Sequence, residues 1–365
     1  MKIAEIISFL ESFAPLGFQE SYDNSGLLIG NADVDCKGAM VCLDATEEVI
    51  KEAIEKKCNL VIAHHPIIFS GVKKINEKNY VSKSIICAIK NDLSIYAIHT
   101  NLDNVINGVN GKIAEKIGLK NCKPLLLKDA TLKKLSTFVP LEKAGQVRDA
   151  LFLAGGGNVG NYSECSFNVE GTGTFKAGKN TNPFVGEIDK RHTEKEVKIE
   201  MILPAYLENT IVAALKKSHP YEEVAYDIIN LNNKNSAIGS GLVGELSESI
   251  DETVFLNQLK KKFNLTVIRH TPLLNRKIKK IALCGGAGSF LISNALAANA
   301  DLFLSSDIKY HEFFEANERM VIADLGHYES EQFTIELLQE VLLQKFPTFA
   351  VLKTGVNTNP VNYFI

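Results

Sequence analysis

Short continuous apolar runs alternate along this chain with stretches whose apolar residues recur at helical spacing. Ala39 to Leu43 and Leu60 to Ala63 are apolar throughout, a pattern that predicts strands covered on both faces. Between them, Glu47 to Lys57 has helical spacing. The alternation continues with a helix over Ser82 to Lys90, a strand over Ser94 to Ile98 and a helix over Asn110 to Gly118, closed by glycine. A helix over Met1 to Phe13 and a polar turn at Tyr22 to Gly26, feeding a short apolar strand, come before these. Strands alternating with helices imply right-handed crossovers and a largely parallel sheet. Ligands in such sheets sit beyond the carboxyl ends of the strands.

From about Thr131 the rhythm changes to β-α-β-β-α-β. Strands are expected at Leu135 to Val139, Ser163 to Lys176, Glu196 to Leu203 and Glu223 to Leu231, with helices at Glu142 to Leu153 and Leu207 to Lys217. That order is ferredoxin-like, and polar stretches flank it, so a self-contained α+β insert is placed at 128–235. The remaining α/β chain falls into two pseudo-equivalent halves, 1–127 and 236–365, forming one unit. Lys280 to Cys284 and Asp301 to Leu304 repeat the earlier strands. The units His99-Thr100-Asn101-Leu102-Asp103 and His327-Tyr328-Glu329-Ser330-Glu331 each follow an apolar strand and end in a carboxylate.

Composition narrows the function classes. The 365 residues exceed one ordinary core. A net charge of -3 and a pI near 6.3 give no electrostatic footprint for nucleic acid. Seven cysteines without a C-x-x-C pair suggest neither a disulfide framework nor a zinc knuckle, so a reducing cytoplasm is expected. No segment has the length of a signal peptide core or of a membrane span.

The candidate chemistry lies at strand ends. Pro66 denies the chain its next ladder N–H, so the strand from Leu60 is expected to stop at His64 and His65, where both rings could face one cavity. A shared cleft between the halves would gather His64, His65, His99, Asp103, Asp307, His311, His327 and Glu331. Imidazole with carboxylate suits zinc, iron, manganese or nickel rather than calcium or magnesium. Two such ions about 3.5 to 4 Å apart can clamp a water and lower its pKa towards about 7. Strand-end polar residues without a common task are the competing reading, and the two matching His-x-x-x-acid units weigh against it. Gly285 to Ser289 reads as a turn between strand and helix, either merely tight or able to hold a phosphate.

Five stretches resemble signatures of the Nif-three-like family, whose bacterial members are labelled GTP cyclohydrolase 1 type 2 homologues. They are Asp23 to Gly30, Ala63-His64-His65-Pro66, His99 to Asp103, Cys284 to Ser289 and Asp324 to Glu331. The segment His219-Pro220-Tyr221-Glu222-Glu223 resembles the PII-like or CutA-like insert of longer members. Two departures are Tyr22, where tryptophan is usual, and Ser305-Ser306 before Asp307, where threonine-glycine is usual. The resemblance implies His64, His65, Asp103, His327 and Glu331 as ligands of two divalent ions, zinc first and iron or manganese next. Glu331 would bridge, with His64 and His327 on one ion and His65 and Asp103 on the other. It further implies a toroidal homohexamer and a metal-dependent hydrolase acting on a GTP-like purine, with His99 the candidate for proton transfer. Phosphoester hydrolysis and a non-catalytic metal-binding regulatory ring are the alternatives.

Overall fold

The computed structural model describes residues 1–364, which form two compact units, 1–127 with 236–364 and 128–235. In the larger unit, the first sheet has the order Gly26–Ile29, Ser94–Ala97, Leu60–His65, Ala39–Asp44 and Val351–Lys353. All neighbours in it are parallel except the pair Gly26–Ile29 and Ser94–Ala97. Alternate residues of its central strand serve different cores. Leu60 and Ile62 face a cluster shared with the second sheet. Val61 and Ala63 face the helices Glu47–Glu55 and Tyr80–Lys90. Those helices begin where the sequence supplies an N-cap: the Thr46 and Asn79 side chains accept from the N–H groups of Val49 and Ser82.

The second sheet runs Arg269–His270, Val321–Asp324, Leu302–Ser306, Lys277–Ala287, Gly239–Asp251 and Lys120–Leu127. Only two of its five pairings, those joining Val321–Asp324, Leu302–Ser306 and Lys277–Ala287, are parallel, so the expected largely parallel architecture is corrected to a mixed one. The cause is topological. Gly239–Asp251, the strand that re-enters the larger unit, runs antiparallel to both Lys120–Leu127 and Lys277–Ala287. Both sheets nevertheless set an antiparallel edge strand beside a parallel run, of four strands in the first sheet and three in the second. Their shared core draws on the helices Ile3–Phe13, Val109–Ile117, Glu252–Lys262 and Thr334–Lys345.

The unit 128–235 is an antiparallel sheet ordered Phe167–Lys176, Arg191–Pro204, Leu132–Pro140 and Tyr226–Asn230. Leu135, Val139, Val197, Ile199 and Leu203 bury one face against the helices Ala144–Leu153 and Glu208–Ser218. Pro140 and Pro204 each cap a single 3-10 turn that leads into a helix, a position where the missing N–H costs nothing.

Candidate metal centre

The strand Leu60–His65 keeps its ladder pairing as far as His65, opposite Asp44 on the neighbouring parallel strand. Its last two residues both turn into one cleft, their ring centroids 4.9 Å apart. The ring of His99, which follows Ser94–Ala97, lies 5.3 Å from that of His64 and 5.5 Å from that of His65. From the second sheet, the short helix His327–Glu331 follows Val321–Asp324 and presents both of its end residues on one side, His327 Nε2 lying 3.2 Å from Glu331 Oε2.

Each of the four imidazoles is oriented through Nδ1 by an oxygen that can only accept. His64 Nδ1 donates to the Ile98 carbonyl at 2.9 Å and His65 Nδ1 to Asp44 at 2.8 Å. His99 Nδ1 donates to Asp23 at 2.8 Å and His327 Nδ1 to Asp307 at 2.6 Å. This assigns the proton to Nδ1 and leaves Nε2 to face the cleft with a lone pair whenever the ring is neutral. The Nε2 atoms of His65 and His327 then meet at 3.4 Å, a repulsive approach unless a positive charge lies between them.

Burial sharpens the point. His64 Nε2 and Asp103 Oδ1 are sealed from solvent without a hydrogen-bond partner and lie 3.8 Å apart. Orphaned buried polar atoms of this kind cost about 1–3 kcal/mol each, and a cation between them would satisfy both. Burial holds the His64 ring neutral, as a metal ligand must be. Burial and then the Glu331 charge push the Asp103 carboxyl well up. Burial would also raise Glu331, but the surrounding imidazoles of His327, His64 and His65 hold it well below the carboxylate range. Against the effect of burial, the carboxylates of Asp44 and Glu331 raise His65 to about 10, and those of Glu331 and Asp307 raise His327 to about 9. Protons held this way are those that a divalent cation displaces.

Two overlapping donor groups, His64 with His65 and His99, and His65 with His327 and Glu331, have ligand atoms within 4.8 Å of one another. Asp103 joins through His64. Without an ion between them, His65 and His327 share Glu331 Oε2 at 2.9 and 3.2 Å, whereas His64 lies 3.8 Å from both Glu331 Oε1 and Asp103 Oδ1. His99 and Asp103 do not reproduce the His327–Glu331 contact. His99 precedes its helix at φ -114 and ψ -112, outside helical geometry, and its ring is held by Asp23. His311 is exposed in the turn Tyr310–Ala316 against Tyr310 and Phe314 and takes no part. Asp307 contributes by orienting His327.

Several supporting residues had no assigned role in the sequence. Asp44 could have been found as the carboxylate closing the strand in register with His65. Nothing local marks Thr358, whose hydroxyl donates to Asp44 at 2.6 Å. The diglycine Gly285-Gly286 belongs to the strand Lys277–Ala287 rather than to a turn. Its N–H groups are committed to Asn110 Oδ1 at 2.9 Å and Ser330 Oγ at 3.0 Å, which removes the phosphate reading for those two groups. A cavity of about 630 Å³, lined by His65, His99, Arg269, His327 and Tyr328 among others, opens onto the donors. All of the donors lie outside 128–235. A chain shortened by joining Lys128 directly to Ser236 is therefore expected to fold and to keep its full metal content, because Leu127 and Gly239 are already paired in register. Metal analysis with circular dichroism checks this, and loss of all metal would place ligands in the removed unit.

The family described as Duf34/NIF3 (NGG1p interacting factor 3) matches residues 1–360. A "GTP cyclohydrolase 1 type 2 homolog" of Halalkalibacterium halodurans is 39% identical and one of Staphylococcus aureus 37%, each aligned over 100% of both chains. The crystal structure of a Bacillus cereus protein related to NIF3 superposes with a TM-score of 0.84 at 36% identity, covering 100% of this chain and 99% of that one. Since the likeness runs through both ends of the chain that meet in the cleft, and not through one motif alone, this protein belongs to the Duf34/NIF3 family.

Proposed function

We propose that this chain is a dinuclear metal-binding protein and a metal-dependent hydrolase of the GTP cyclohydrolase 1 type 2 kind, acting on a purine nucleotide. The carrying observation is the pair of orphaned donors, His64 Nε2 and Asp103 Oδ1, beside the crowded His65–His327–Glu331 group. His65, His327 and Glu331 Oε2 would hold one ion and His64, Asp103 and Glu331 Oε1 the other. The nitrogen-rich donor set favours zinc, with iron or manganese next. Bound there, such ions supply Lewis acidity and a water acidic enough to yield hydroxide near neutral pH. The chain's own part is positional. Asp44, Asp23 and Asp307 fix the rings, and His99 Nε2, free of the Asp23 contact made by Nδ1, moves a proton at the substrate. The family name carried by the relatives supports the purine reading. Phosphoester hydrolysis, which the same pair of ions would serve, is the second reading; Arg269 on the cavity wall is already held by Asp324 at 3.0 Å.

The resemblance adds a PII-like identity for 128–235, a duplication behind the two halves of the larger unit, and a ring-shaped homohexamer, for which sedimentation analysis is the test. The activity test is incubation of metal-loaded protein with GTP and a nucleotide panel, scoring formate and phosphate release. Asp103→Ala is expected to lower turnover by more than about 100-fold, beyond the range usual for residues that only orient ligands. Turnover surviving that change would sink the hydrolase reading. No turnover by the unaltered protein on any nucleotide would leave a metal-binding protein without catalysis.

A further inference from the structure

The unit 128–235 contains a cavity of its own, about 640 Å³, between the strand Phe167–Lys176, the segment 177–184 and the turn that begins at Tyr221. Its wall is built rather than incidental. The Asn182 N–H donates to Glu222 Oε1 at 2.9 Å, and the Asp189 N–H donates to the Ala177 carbonyl at 2.8 Å, so the segment is pinned at both ends. Inside, the rings of Phe175 and Phe184 stand 6.1 and 6.3 Å from the ring of Tyr221. Tyr221 donates its hydroxyl to Glu196 Oε1 at 2.8 Å. The recess that admits the Glu196 carboxylate exists because Gly173 has no side chain there: an added Cβ would collide with it.

The charge of this cavity is one-sided. Four carboxylates, of Glu170, Glu196, Glu222 and Glu223, line it against Lys176 and Lys198. The Lys198 ammonium is already engaged by Glu200 at 2.6 Å, and His192 by Glu194 at 2.9 Å. Among the described residues no lysine, arginine or histidine pairs with Glu196. A carboxylate offers about four acceptor sites, so one phenol donor leaves most of Glu196 unmet. An anion would face four like charges, and a purely apolar guest would strip Glu196 of water without replacing its hydrogen bonds.

We propose that this cavity binds a small organic monocation with a flat apolar body, of the amidinium, guanidinium or arylammonium class. The cationic end pairs with Glu196, and the body lies among Phe175, Phe184 and Tyr221, whose ring faces attract positive charge. The volume suits such a guest, small-molecule sites spanning roughly 300–1,000 Å³.

The test is calorimetric titration of the full chain with benzamidinium, with benzamide as a neutral probe of nearly the same shape, and with benzoate as the anion. Benzamidinium is expected to bind once per chain and at least about tenfold more tightly than benzamide, the scale of one charge-assisted hydrogen bond, while benzoate gives no binding heat. Glu196→Gln should erase that preference while the circular dichroism, the thermal melt and the metal content stay unchanged. Gly173→Ala should weaken it by forcing the carboxylate from its recess, which separates a lost charge from a lost fold. Equal affinity for benzamidinium and benzamide, or a preference that survives Glu196→Gln, would overturn the proposal. So would one cation per two chains, which would make the cavity an interface, or no benzamidinium binding up to about 10 mM.

Discussion

Glu331→Gln is expected to empty both metal positions together, whereas His64→Ala should deplete mainly the position it shares with Asp103. Glu331 Oε2 lies within 3.2 Å of His65 and His327, while Oε1 faces His64 at 3.8 Å, so one buried carboxylate spans both donor groups. A neutral imidazole offers one lone pair to one ion and cannot do this. The charge matters as much as the reach. Two dications about 4 Å apart repel by on the order of 15 kcal/mol at an effective dielectric of 20, and the bridging negative charge offsets part of that. Metal analysis of the purified variants, with circular dichroism as the folding control, reads the outcome. A Glu331→Gln protein still carrying two ions per chain would show that another group bridges, with Asp307 the first to examine because it already contacts His327.

Gly286→Ala should lose both ions as well, although glycine can ligate nothing through a side chain. Gly286 sits at φ +67, a conformation costing an L-residue roughly 1–2 kcal/mol, and its missing Cβ is the space that the Glu331 carboxylate fills. The added methyl would push that carboxylate off the line joining the two donor groups, and the Gly286 N–H would strain its bond to Ser330 Oγ. The expected result is a folded protein, melting a few degrees lower, that binds each metal at least about tenfold more weakly, as when ligand orientation is lost elsewhere. Full metal content in this variant would mean that Glu331 can relocate without penalty and that the bridge is not held by packing. Ser330→Ala, which removes the backbone anchor but adds no bulk, separates the two contributions.

The parallel core of the fold was legible because burial on both faces writes itself into local sequence. Ala39–Asp44 and Leu60–His65 are apolar almost without interruption, and their boundaries fall within a residue or two of expectation. The strands Lys120–Leu127 and Gly239–Asp251 were not legible. The first reads Lys-Asn-Cys-Lys-Pro at its start, with most of its side chains exposed or half-exposed, and its partner lies beyond 128–235. What makes it a strand is a long-range ladder, which no local pattern encodes. The same division runs through the site. His64, His65, His327 and Glu331 announce themselves by type and spacing, but which imidazole lies nearest which carboxylate depends on how two sheets converge, and no local spacing encodes that. Asp44 and Gly286 act only through neighbours that are remote in sequence.

The placement of Val351–Lys353 beside Ala39–Asp44 in the first sheet bears on how the protein is made. His65 meets Glu331 across 266 positions of sequence. At elongation rates of about 5–20 residues per second, the early histidines therefore wait roughly 13 to 53 s on the ribosome before Glu331 is added. Through that interval Ala39–Asp44 has one unpaired edge, and His64 and His65 form at most a half-site. The unit 128–235, whose ladder partners all lie within itself, can complete its sheet meanwhile. Ions that need Glu331 as a ligand therefore enter only after the chain has grown past it, so full loading is a property of chains that carry both sides of the cleft.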